Sequence, residues 1–140
     1  MSEIDLSPKL INLENIETDD VRDILASYFI DGEVDNDGDL FIDSPARMYI
    51  KADKEFGILR FFSFVRLKDD WNETDLSTKL DSINRASLSV KYSTMKSSVM
   101  VEYGIPLFGY IDNKHLVKVV YHIEGEIELL KLRINEHIEG

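Results

Sequence analysis

The sequence predicts an α+β fold: three helices with one antiparallel sheet of about five strands, in the order α-β-β-β-α-β-β-α. Three observations predict it. Residues Gly57 to Leu67 alternate with period two, placing Leu59, Phe61, Val65 and Leu67 on one side and Ile58, Arg60, Phe62, Phe64 and Arg66 on the other, the pattern of a central strand. Val21, Ile24, Leu25, Tyr28 and Phe29 form one helical stripe. Leu116, Val120, Ile123, Ile127, Leu130 and Ile134 step by 4, 3, 4, 3, 4, the seam of a long last helix that Val119 widens.

In chain order, residues 1 to 17 carry Ile4, Leu6, Leu10, Ile11, Leu13 and Ile16 around Pro8 without a sustained period. They read as a loosely attached arm preceding a single domain over 18–140. Thr18 is the expected N-cap of the first helix, with Asp19 and Asp20 in the turn where the helix dipole favours negative charge. That helix is expected to end near Ile30, before Gly32. Asp31 to Asp43 reads as a hairpin or short paired strands around Asn36-Asp37-Gly38. Arg47 to Ala52 alternates Met48 and Ile50 against Arg47, Tyr49 and Lys51, a strand leading into the central one. The second helix spans about Thr74 to Ala86, with Leu76, Leu80 and Ile83 inward. Ser89 to Met95 and Ser98 to Ile105 pair about Lys96-Ser97, and Pro106 to Ile111 is a connection. Asp112 caps the last helix. Gly125 inside it costs about 1 kcal/mol relative to Ala, which predicts a kink or a close packing contact.

The totals exclude several function classes. A chain of 140 residues is the size of one domain with a self-sufficient core. With no cysteine, disulfides, thiolate zinc sites and cysteine nucleophiles are excluded together. Sixteen Lys and Arg against 27 Asp and Glu give a net charge of −11, which repels nucleic acid and anionic membranes. The acidic start and the lack of an apolar run near the ~18 residues of a membrane span predict a cytoplasmic protein.

Three ordered segments carry a resemblance. Asp35-Asn36-Asp37-Gly38-Asp39-Leu40-Phe41 leads into the strands, Leu80-Asp81-Ser82-Ile83-Asn84-Arg85 closes the second helix, and Tyr103-Gly104-Ile105-Pro106-Leu107-Phe108-Gly109 precedes Leu116. In that order the chain resembles the YbjN family of bacterial proteins. The resemblance implies a fold like that of type III secretion chaperones, no established enzymatic activity, a loose link to stress response and sensory regulation, and, from fold relatives, dimerisation and the holding of partner proteins.

Each candidate site has a plainer reading. Glu33, Asp35, Asp37, Gly38 and Asp39 imitate the start of a calcium loop, but the twelfth position is Ser44 where a bidentate Glu is required, so a hairpin turn is expected. His115, His122 and His137 are assigned to the last helix, the first two about 10 Å of rise apart and too far for one metal. They read as solvated or packing histidines. Asp19-Asp20 and Asp69-Asp70 read as caps and solvated charge, since catalytic carboxylate pairs need burial to part their pKa values. No Gly-rich phosphate loop or nucleophile elbow is present in the sequence. Neither catalytic residues, cofactors nor metals are therefore expected.

The remaining signal is one sheet face. Alternation leaves Arg47, Tyr49, Lys51, Arg60, Phe62, Phe64, Arg66, Lys91 and Met100 opposite the core side, a basic and aromatic face on an acidic protein. Phenylalanines adjacent on one strand face mark a contact surface. Tyr49, Arg60, Phe62, Phe64 and Arg66 are thus the expected protein-binding residues, the alternatives being cover by the N-terminal arm or exposure to water. The expected function is a non-enzymatic protein-binding module, chaperone-like or a regulatory adaptor, as a homodimer with a further protein partner. A small ligand-binding or hydrolytic domain with an unrecognised pocket is the alternative.

Overall fold

The computed structural model describes residues 9–87 and 89–139. In chain order its elements are β1 (Leu10–Asn12), α1 (Thr18–Ala26), β2 (Gly32–Val34), β3 (Leu40–Ile42), β4 (Met48–Asp53), β5 (Ile58–Arg66), α2 (Glu73–Ala86), β6 (Lys91–Met95), β7 (Ser98–Pro106), β8 (Tyr110–Asp112) and α3 (Asn113–Arg133), followed by a 3-10 turn at Asn135–His137. Strands order as β2-β3-β4-β5-β7-β6 in a six-stranded sheet, and β1 pairs with β8 in a two-stranded one. The fold is α+β, as the alternating and helical patterns predict. Described residues of Met1–Phe61 and Gly104–His122 make one compact unit, and those of Phe62–Tyr103 and Ile123–Gly140 a second.

In the first unit, α1 buries Val21 and Leu25 and packs on β2, β3 and β4. Its N-cap is Glu17 rather than the expected Thr18. The Glu17 amide donates to Asp20 Oδ2 at 2.8 Å, while Thr18 turns its hydroxyl away to accept from the Ala52 amide at 3.1 Å. The helix also stops short of the expected Ile30. The Phe29 amide donates to the Ala26 carbonyl and the Ile30 amide to the Leu25 carbonyl, both at 3.0 Å, which is the hydrogen-bond pattern of a Schellman close. Phe29 takes the left-handed position at φ 66° and is 75% exposed, while Ile30 returns to the core.

The acidic segment is the hairpin expected. Asp35 Oδ1 accepts the amides of Asp37 and Asp39, each at 2.9 Å, and Gly38 supplies φ 83°. Registers Leu40↔Ile50 and Ile42↔Met48 bring four buried side chains together. At Gly32 a Cβ would meet Ile42 Cγ2, Leu40 Cδ1 and the Phe41 carbonyl at 2.8 Å, so β2 approaches β3 more closely there than a side chain allows.

The loosely attached arm does not describe residues 9–16. β1 pairs antiparallel with β8, the Leu13 amide donates to the Gly109 carbonyl at 3.0 Å, and Leu13 and Ile16 are each 2% exposed. A three-residue strand is too short to register as a period, and its partner β8 lay in the segment read as a connection. The expectations for Ile4, Leu6 and Pro8 lie outside the described residues. Asp112 caps α3 as expected, its Oδ1 accepting the Lys114 amide at 2.8 Å, and Leu116, Val119 and Val120 are buried.

In the second unit, Asn72 caps α2 through Oδ1 and the Asp75 amide at 2.9 Å, and Leu76, Leu80 and Ile83 are buried. Helix α2 packs on β6. Asn84 fixes that contact by gripping the backbone of one strand residue: its Nδ2 donates to the Tyr92 carbonyl at 2.7 Å and its Oδ1 accepts the Tyr92 amide at 2.8 Å. Because β6 ends the six-stranded order, this side chain occupies backbone groups that an edge strand would otherwise offer to another chain. The remaining seam residues Ile123, Ile127, Leu130 and Ile134 are all buried. Gly125 makes no close contact of the kind expected of it. The helix runs unbroken through it, and a Cβ there would meet nothing within 4 Å.

Candidate functional site

The expected binding residues are divided between the two units. In the first, Tyr49 stands on β4 between the buried Met48 and Ile50 and opposite Phe41 of β3. The two rings lie 5.3 Å apart, tilted by 46°, and the Arg47 guanidinium sits 5.7 Å above Phe41. Tyr49 is thus half-buried in an aromatic pair that a cation–π contact of about 0.5–1 kcal/mol closes off. Arg47 also pairs with Asp43, Nε to Oδ1 at 3.5 Å.

Arg60 is half-buried on β5 between Leu59 and Phe61, which are fully buried. Its charge acts on Asp39. Burial, and then the neighbouring Asp35 carboxylate, raise the Asp39 carboxyl above its ordinary range, with Lys51 opposing, Asp37 adding and Arg60 opposing in turn. Asp39 Oδ1 is buried with no hydrogen-bond partner. The face read from the sequence as basic therefore carries acid as well: register places β3, with Asp39, Phe41 and Asp43, alongside Lys51, Tyr49 and Arg47. Pairing the hairpin forward onto the next strand in the sequence would have revealed them.

In the second unit, Phe62 and Phe64 project from the same side of β5, their rings 6.1 Å apart and edge-to-face at 83°. Phe62 is half-buried and Phe64 is 43% exposed, whereas Phe61, Ser63 and Val65 on the other side are buried. Arg66 follows, exposed and ion-paired through Nε to Glu139 Oε2 at 2.9 Å, while the Glu139 amide donates to the Arg66 carbonyl at 3.1 Å. The strip is bounded at that end by the segment after α3, which also bridges Leu67 to Ile138. Cover by residues 1–8 lies outside the described residues.

One cluster was missed. His137 is not on the last helix but in the 3-10 turn beyond it, 6% exposed, with Nε2 2.7 Å from Asp75 Oδ2 and 3.6 Å from Glu136 Oε1. Lys79 pairs with Glu136 and lies 3.6 Å from Asp75 Oδ2. Sixty-two positions separate Asp75 from His137, so no local spacing could have joined them. His115 and His122 are exposed on α3, and the carboxylates of Asp19-Asp20 and Asp69-Asp70 are exposed. Two open depressions in this unit are lined by Lys79, Ser82, Ile83, Ala86 and Arg133, and by Asn84, Ser87, Ser89, Val90 and Lys91. Among the described residues no helix is long and apolar enough to cross a membrane.

No protein-family model matches the chain, and no curated protein matches it by sequence. The crystal structure of YbjN, a candidate transcription regulator from E. coli, superposes with a TM-score of 0.74 over 94% of this chain and 100% of that one, at 15% sequence identity. The fold is YbjN-like, and at that identity the likeness is one of fold.

Proposed function

We propose that this chain is a non-enzymatic, adaptor-like regulatory module that binds another protein through the Phe62–Phe64–Arg66 strip of β5. The observation that carries the reading is the phenylalanine pair itself, with Phe64 43% exposed on a strand whose opposite face is buried. Phenyl rings side by side on one strand face, one of them 43% exposed, present apolar area to solvent, and its transfer into a partner is favourable by about 1.5–3 kcal/mol for each fully buried ring. An adjacent arginine adds a donor fork for carboxylates and a plane for stacking. The E. coli protein of the same fold is a candidate transcription regulator. For a chain of net charge −11, regulation through protein contact is electrostatically easier than through DNA. A second copy of the chain fits the same strip, since a two-fold axis uses one patch twice.

Site-specific photo-crosslinking tests this in cells. A crosslinking phenylalanine analogue at position 64 should trap a discrete protein adduct, or a dimer, and the same analogue at the exposed Lys96 should not. Equal labelling at both positions, or none at 64, contradicts the reading, as does sequence-independent DNA binding of micromolar strength at physiological salt.

A further inference from the structure

The Asp75, Glu136 and His137 cluster of the second unit shares no residue with the Phe62–Phe64–Arg66 strip. Its three ligand atoms, Asp75 Oδ2, Glu136 Oε1 and His137 Nε2, lie within 4.8 Å of one another. Their supports are fixed. Asp75 sits in the first turn of α2, its amide held by the Asn72 cap at 2.9 Å. The turn bearing His137 is pinned on both sides, its amide donating to Ile134 at 2.8 Å and its carbonyl accepting from Lys68 at 2.7 Å. Burial leaves the imidazole ring little freedom, and Nε2 points at both carboxylates.

A tetrahedral ion bound at zinc–nitrogen and zinc–oxygen lengths holds its ligand atoms about 3.4 Å apart. The separations of 2.7 and 3.6 Å around Nε2 bracket that figure, and both carboxylates are on half-exposed side chains that can rotate by the difference. The place also already holds a cation. The Lys79 ammonium contacts Glu136 and lies 3.6 Å from Asp75 Oδ2, so the chain supplies one positive charge where two carboxylates converge. A divalent ion would bring two positive charges to the same two carboxylates.

We propose that Asp75, Glu136 and His137 bind a first-row divalent cation, zinc above all, which displaces the Lys79 ammonium and takes water as its fourth ligand. One nitrogen and two oxygens suit zinc, whereas magnesium favours an all-oxygen octahedron. Bound there, the ion ties the turn after α3 to the start of α2.

Calorimetric titration of zinc chloride into the metal-stripped full chain tests the site. The expected result is one equivalent bound with a micromolar Kd, and magnesium chloride at least about 100-fold weaker. Asp75→Asn removes a ligand from a half-exposed position and should weaken zinc by at least about tenfold, with far-UV circular dichroism checking that the variant is folded. Lys79→Met removes the competing cation and should tighten zinc several-fold, which a merely structural ion-pair network does not predict. Absence of saturable zinc binding, an unchanged Kd in folded Asp75→Asn, or an unchanged or weaker Kd in Lys79→Met overturns the proposal.

Discussion

Phe29 occupies a position that physical chemistry reserves for glycine. A left-handed backbone costs an L-residue about 1–2 kcal/mol, and Phe29 offsets little of that, with its ring 75% exposed at φ 66°. Phe29→Gly should therefore raise stability by about 0.5–1 kcal/mol, the gain being reduced by glycine's larger unfolded-state entropy, and urea denaturation measures it. A loss of stability would mean that the ring packs in solution. Asp39 makes the opposite kind of prediction, set by pH. Its folded pKa is raised, chiefly by burial, so the folded state favours the protonated carboxyl and loses stability as pH rises through the carboxylate range. Asp39→Asn should be more stable than the parent at pH 7, with the advantage vanishing once pH falls below the ordinary carboxylate value of 3.8. Thermal melts across that range check the sign, and a variant less stable at neutral pH would contradict it.

At the scale of elements, α3 is part of the core, with Ile127 4% exposed in the seam. Ile127→Asp places an unpaired charge there, at a cost of about 4 kcal/mol or more, and cooperative unfolding should be lost. A melt within a degree or two of the parent would reassign the helix as surface. Long elements were legible because they repeat: α3 shows its seam four steps in succession, and β5 shows both faces over nine residues. What was not legible is short or distant. β1 and β8, three residues each, have too few positions to show a period, and only their pairing makes them strands. The cap of α1 was misassigned because Thr18 and Glu17 are neighbours and only the position of Ala52, thirty-four residues on, draws the threonine hydroxyl away. The turn at Lys96, with φ 52°, closes its hairpin without a glycine, so the pairing of β6 with β7 had to be read from the flanking alternation.

For the whole molecule, fold and charge were readable from composition and order, whereas the candidate surface was readable only in part. Alternation along β5 correctly separated Phe62 and Phe64 from the buried Phe61 and Val65, because a strand's two faces are fixed by parity. It did not reveal that Tyr49 pairs with Phe41 or that Glu139 meets Arg66, since both depend on partners from other elements. In the proposed role the phenylalanine pair serves association rather than folding. Replacing Phe62 and Phe64 together by serine separates the two. Sedimentation velocity of parent and variant, with a denaturation curve on the same samples, should show self-association or partner binding weakened by at least about tenfold while cooperative unfolding is kept, tenfold being about 1.4 kcal/mol of lost contact. A variant that loses cooperative folding, or one that stays folded and associates as the parent does, would contradict the account.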